Sequence, residues 1–76
     1  MKPTKQDLDL PTWLSPEGKA LSCLEKIKVL NENLTEIREL CQEALEDAVL
    51  MGCDEPQVRQ VLQELLDSLE TPFENK

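Results

Sequence analysis

Hydrophobic side chains recur every three or four positions through the middle of the chain. From Lys19 to Met51 the sequence holds no glycine and no proline, and its apolar positions are spaced alternately four and three residues apart. This spacing is the heptad pattern of a helix that buries one side. The predicted apolar seam consists of Cys23, Ile27, Leu30, Leu34, Ile37, Cys41, Ala44, Ala48 and Met51.

The residues that flank this pattern predict where the long helix begins and ends. Ser15 is a candidate N-cap, and Pro16 suits the first helical position because its missing N–H has no helical partner there in any case. Gly52 suits the position just past the last turn. The sequence therefore predicts a long helix over residues 16–51.

A second, shorter helix is predicted over residues 55–70. Asp54 is its candidate N-cap, with Gln57 three residues later and Pro56 in the first turn. A residue before proline disfavours the α-helical region, so Thr71 and Pro72 should end this helix. Its apolar stripe is Val58, Val61, Leu62, Leu65, Leu66 and Leu69.

The connection over residues 52–54 is so short that the second helix must return antiparallel to the first. The predicted fold class is therefore all-α, an antiparallel helical hairpin with one long and one short helix. This hairpin domain covers residues 16–70. An extended N-terminal arm (residues 1–15) precedes it, and a C-terminal tail (residues 71–76) follows it.

The short helix can cover only the C-terminal half of the long one, where Ala44 and Ala48 would let the two backbones approach closely. The seam from Cys23 to Leu34 would then face water, which is costly for several large apolar side chains. Either a second copy covers it in a four-helix bundle, or the long helix breaks near 31–33 and three short helices close on themselves.

The uninterrupted heptad register favours the continuous helix, and with it a homodimer. The expected interface residues are Cys23, Ile27, Leu30, Leu34, Ile37 and Trp13.

Trp13 lies in the arm, where two interpretations are open. Trp13 and Leu14 can fold back as a plug over the open end of the bundle, which the apolar area they would bury favours. Alternatively, the arm docks on another protein through Leu8, Leu10 and Trp13, because an amphipathic tryptophan can anchor an interface strongly.

Charge and cysteine usage narrow the classes of partner and the compartment. The chain has 16 acidic and 8 basic residues, no histidine and a net charge of −8. This charge opposes binding to nucleic acid or to anionic membranes, and no apolar run approaches the roughly 20 residues that span a bilayer. The N-terminus lacks the apolar stretch of a signal peptide, and three cysteines without paired spacing suit a reducing compartment. We therefore expect a cytoplasmic protein whose cysteines are buried apolar side chains, with a redox or intersubunit disulfide role as the alternative.

A row of carboxylates occupies the outward position of successive heptads. The predicted acidic face consists of Glu25, Glu32, Glu39 and Glu46. It is either a solvated face or a patch that recruits a basic partner. Metal sites in helical bundles combine carboxylates with histidines, and activated cysteine nucleophiles need a base. Since the chain has no histidine, we expect no catalytic residue, no metal and no cofactor.

These expectations favour a small acidic protein–protein interaction or adaptor module that acts as a homodimer with an unidentified protein partner. The alternative is an acidic inhibitor or nucleic-acid mimic that occupies a basic site on its target. A metal-dependent helical protein is the weakest hypothesis.

Overall fold

The computed structural model describes residues 10–72, which form two α-helices. Helix α1 is Leu24–Leu50 and helix α2 is Glu55–Ser68. The chain is an all-α helical hairpin with one long and one short helix, as the sequence predicts. The predictions for residues 1–9 of the arm and 73–76 of the tail lie outside the described residues.

The chain divides into two compact units, Met1–Glu39 and Leu40–Lys76, and α1 contributes to both. We call them the N-terminal unit and the C-terminal unit. The N-terminal unit combines the arm with the first part of α1, and the C-terminal unit combines the last part of α1 with α2.

Helix α1 is continuous through Asn31, Glu32 and Asn33. The Thr35 hydroxyl donates a hydrogen bond of 3.0 Å to the Asn31 carbonyl one turn earlier in the same helix. The continuous arrangement is confirmed, and the alternative with three short helices is wrong.

The predicted start of α1 at Pro16 is wrong, because the helix begins at Leu24. Ser15 to Gly18 instead form a β-turn, in which the Gly18 N–H donates to the Ser15 carbonyl at 2.9 Å. Pro16 and Gly18 stand at the second and fourth positions of this turn, where those residue types are favoured. Gly18 has a φ of +87°, in the left-handed region that glycine reaches without steric cost.

The turn joins two short extended segments. Leu14 and Ala20 form an isolated antiparallel β-bridge. The Leu21 N–H donates to the Trp13 carbonyl at 2.8 Å, and the Ser15 N–H donates to the Lys19 carbonyl at 2.8 Å. The arm therefore continues to the start of α1 as a small hairpin-like turn.

The connection between the helices matches its prediction closely. Gly52 has a φ of +98° and its N–H donates to the Val49 carbonyl, while the Cys53 N–H donates to the Ala48 carbonyl. These two bonds form a Schellman motif with glycine at C′. Asp54 then caps α2, because its carboxylate accepts a 3.1 Å hydrogen bond from the Gln57 N–H.

Helix α2 ends at Ser68, two residues before the predicted end. The Ser68 hydroxyl donates to the Leu65 carbonyl at 2.7 Å and so satisfies an acceptor of the last turn. Leu69 is already extended, with φ −71° and ψ 147°. The helix therefore stops before Pro72 exerts its restriction.

Part of the N-terminal half of α1 is shielded from solvent. Trp13 and Leu21 are half-buried in the N-terminal unit, and so are Ile27, Leu30 and Leu34 of α1. The expectation that this half of the seam is uncovered is therefore wrong for these three residues. Trp13 of the arm is hydrogen-bonded to Asn31 in the same half of the helix, so the chain itself shields part of this seam without a second copy or a break in the helix.

Only a few residues mark the contact between the two helices in the C-terminal unit. From residue 40 to residue 72 the half-buried residues are Cys41, Gln42, Leu45, Ala48, Val58 and Leu62. Ala44 and Met51 of the predicted seam are exposed, and Leu45, which the heptad pattern omitted, takes their place. A straight α-helix drifts by about 20° per heptad from a 3.5-residue repeat, so a strict heptad misplaces its later positions.

The spacing on α2 predicts that Val61, Leu62, Leu65 and Leu66 fill the space facing Ala44 and Ala48, but among them only Leu62 is half-buried, so the prediction is wrong for Val61, Leu65 and Leu66. These three side chains are 49%, 54% and 53% exposed. No side chain between residues 10 and 72 is fully buried. The described part of the chain therefore has contacts between its elements but no closed hydrophobic core.

Candidate functional site

Trp13 is fixed to α1 by a side-chain hydrogen bond. Its indole Nε1–H donates to Asn31 Oδ1 at 2.7 Å, and both residues are half-buried. Trp13 thus folds back on the long helix, as the first interpretation of the arm predicts. Leu14, its proposed companion in the plug, is instead 59% exposed.

The residues predicted to form a dimer interface all belong to the N-terminal unit. Ile27, Leu30, Leu34 and Trp13 are half-buried, so part of each remains accessible. Cys23 is exposed and Ile37 is 48% exposed.

The four carboxylates of the predicted acidic face differ in their surroundings. Glu25 is exposed, and Glu32 forms an ion pair of 2.8 Å with Lys28. The hydrogen bond from Lys28 to Glu32, together with their charge attraction, raises the pKa of Lys28 above its ordinary value. Glu46 accepts a hydrogen bond from Gln42. Glu39 is half-buried, so the prediction that it faces water fully is wrong.

The expectation of buried cysteines is wrong for two of the three. Cys23 and Cys53 are exposed, and only Cys41 is half-buried. Cys53 follows the glycine that ends α1, and Cys23 precedes the first residue of that helix. Both therefore lie at helix ends, where the heptad pattern no longer determines burial. All three are unpaired thiols.

An open groove runs along one side of the helix pair in the C-terminal unit. It has a volume of about 480 Å³ and is lined by Gln42, Leu45, Glu46, Val49, Leu50, Glu55 and Arg59. Arg59 forms a 3.0 Å ion pair with Glu55, which lies one turn earlier in the same helix. The groove is therefore lined by both apolar and polar side chains.

The other side of the same helix pair is apolar and exposed. On α1, Leu40 and Ala44 are one turn apart, and on α2, Val61 and Leu65 are one turn apart. By helical periodicity, these four residues lie on one side of the half-buried contact residues, and the groove lies on the other side. We call these four residues the hairpin face. The side chains of Leu40, Val61 and Leu65 are 67%, 49% and 54% exposed.

Carboxylates border the hairpin face on both helices. Glu43 and Asp47 follow Leu40 and Ala44 by three residues, and Glu64 follows Val61 by three residues. Glu64 accepts a hydrogen bond from Gln60. No ion pair within residues 10–72 involves Glu43, Asp47 or Glu64. The face is therefore apolar at its centre and negative at its edges.

The net charge is divided unequally between the two units. Residues 1–39 hold seven acidic and six basic side chains, a net charge of −1, and residues 40–76 hold nine acidic and two basic ones, a net charge of −7. The sequence predicts the acidic row on α1 but not the hairpin face, because the spacing of the apolar residues on α2 does not show which of them contact α1.

Three further observations bear on the class of protein. The part of the chain that the structure describes contains no cluster of side chains that could hold a metal ion. Neither described helix is long and apolar enough to cross a bilayer. No protein-family model matches the chain, and comparison with curated proteins and with solved structures also finds no match.

Proposed function

We propose that this protein is a small acidic protein–protein interaction module that works as a cytoplasmic adaptor. The observation that carries the proposal is the lack of any fully buried side chain between residues 10 and 72, together with the row of exposed apolar residues on α2. Large exposed apolar patches on a small domain are typical of interaction sites. Three unpaired cysteines suit a reducing compartment.

The adaptor acts as a homodimer through its N-terminal unit. This unit carries a net charge of only −1, so a second copy meets little repulsion there. Ile37 is exposed, and Ile27, Leu30 and Leu34 are only half-buried, which leaves apolar area for a second chain to cover.

Sedimentation velocity on the purified chain tests the homodimer. We expect the mass of two chains, and a monomer for Ile37→Asp, since this change places an unpaired charge in a desolvated contact. Leu50→Asp is the matched control, because Leu50 is 85% exposed and lies in the other unit. A wild-type monomer, or equal masses for both variants, would contradict self-association through Ile37.

A second candidate function is an acidic inhibitor or nucleic-acid mimic that occupies a basic site on its target. The net charge of −7 on residues 40–76 favours it. Binding through charge alone is screened by salt and tolerates the loss of any one apolar side chain. Leu65→Gln therefore distinguishes the two candidate functions. An acidic inhibitor or mimic predicts unchanged target binding, and the adaptor predicts weaker binding.

A further inference from the structure

We propose that the hairpin face binds an amphipathic helix of a partner protein whose apolar stripe is flanked by lysine and arginine side chains. This inference rests on the proposed interaction function and names the class of partner that its C-terminal unit takes. The face consists of Leu40, Ala44, Val61 and Leu65, as defined above.

The shape of the face fits a helix. Two antiparallel helices that pack side by side leave a shallow trough between them, and Ala44 places only a methyl group on its α1 side. A third helix that lies in such a trough contacts it through residues three, four and seven positions apart. The exposed side chains of Leu40, Val61 and Leu65 are the apolar surface that such a stripe would cover.

The charges around the face select a basic partner over a second copy of this chain. Glu43 and Asp47 border it on α1, and Glu64 borders it on α2. The single described cation of the C-terminal unit, Arg59, lines the groove on the opposite side and is paired with Glu55. A second copy would bring carboxylates against carboxylates, whereas lysines beside an apolar stripe would meet opposite charges at both edges.

The test uses a synthetic helical peptide of about 18 residues, long enough for about five turns, with leucines on one side and lysines flanking them. A scrambled peptide of the same composition is the probe control. Binding to the full chain is followed by anisotropy of the labelled peptide. We expect saturable binding of the amphipathic peptide and at least about tenfold weaker binding of the scrambled one.

Two pairs of adjacent residues provide matched variants. Leu65→Gln should weaken peptide binding at least about tenfold, while Leu66→Gln, equally exposed but on the groove side, should change it by less than about threefold. Asp47→Lys should likewise weaken binding more than Glu46→Lys, because Glu46 lines the groove and Asp47 borders the face. Far-UV circular dichroism verifies that the members of each pair keep the same helix content.

The outcomes separate this inference from the proposed function. Equal loss in Leu65→Gln and Leu66→Gln, or equal binding of both peptides, overturns the assignment of the face. If Leu65→Gln changes the sedimentation mass instead of peptide binding, the occupant is a second copy and the inference is wrong. If the chain dimerises but binds no peptide, the proposed interaction function stands and the inferred class of partner is wrong. If the chain is a monomer and binds no peptide, both the proposed function and the inference are wrong.

Discussion

At the scale of single residues, a side-chain hydrogen bond connects Trp13 of the arm to α1. Trp13 Nε1–H donates to Asn31 Oδ1 at 2.7 Å, and both groups are half-buried. A hydrogen bond that is partly shielded from water contributes about 1 kcal/mol, and its loss leaves the indole N–H without its partner. Asn31 thus has a role that its helical position alone does not indicate.

Asn31→Ala should therefore destabilise docking of the arm by about 1–2 kcal/mol. Because the chain has one tryptophan, its fluorescence reports the arm directly, and we expect a red-shifted emission as the indole becomes more exposed. Asn33→Ala is the control, since Asn33 is an exposed residue of the same helix and gains the same helix propensity. Identical emission maxima for the two variants would contradict the role of the bond.

Gly18 gives a second prediction at this scale. Its φ of +87° is disfavoured for residues with a side chain, although a Cβ there would meet nothing within 4 Å. Gly18→Ala should therefore cost about 1–2 kcal/mol through backbone strain alone. The tryptophan emission should shift as in Asn31→Ala, while Gly18→Asn should stay closer to wild type because asparagine tolerates this region better. A blue shift, or no shift, of the tryptophan emission in Gly18→Ala would contradict the prediction that the turn requires glycine at this position.

At the scale of the elements, the start of α2 and the connection are more predictable than the start of α1. Gly52 and Asp54 act through local backbone geometry, which their residue types determine. Ser15 and Pro16 favour a helix start and a β-turn equally well, and Gly18 decides between the two. The heptad pattern predicted α1 as continuous but misplaced Ala44, because a regular repeat describes a supercoiled helix better than a straight one.

The hairpin face could not be predicted from the sequence for a related reason. The stripe on α2 contains six apolar residues, and the pattern does not show that only Val58 and Leu62 are half-buried against α1. One interpretation of the arm predicts that Trp13 folds back on the bundle, but the sequence does not identify Asn31 as its partner, since a contact across 18 residues has no local sequence pattern.

The different positions of the two alanines give the prediction at the element scale. Ala48 is half-buried at the contact between the helices, and Ala44 is exposed. Ala48→Leu should overpack this contact and cost about 1–3 kcal/mol of unfolding free energy. Ala44→Leu adds the same atoms on the exposed side and should stay within about 0.5 kcal/mol of wild type. Urea denaturation followed at the helical band measures both, and equal midpoints would show that the register is wrong.

At the scale of the whole molecule, the two units differ in charge far more than in hydrophobicity. The N-terminal unit has a net charge of −1 and the C-terminal unit −7. Two contacts made by one chain should therefore respond differently to ionic strength, since screening acts on charge attraction and leaves apolar contacts largely unchanged. Because of this difference in charge, the proposed homodimer contact and the proposed contact with a partner helix should differ in their dependence on ionic strength.

Raising NaCl from about 50 to about 500 mM should leave the dimer dissociation constant within about threefold and weaken binding of the lysine-flanked peptide at least about tenfold. Analytical ultracentrifugation measures the first quantity, and anisotropy of the labelled peptide measures the second. Asp47→Asn with Glu43→Gln should reduce the salt dependence of peptide binding, because two of the carboxylates bordering the hairpin face are then neutral. The dimer should be unaffected by this double change, since both residues lie in the C-terminal unit. Equal salt dependence of the two contacts would show that the charge division does not assign them to different units.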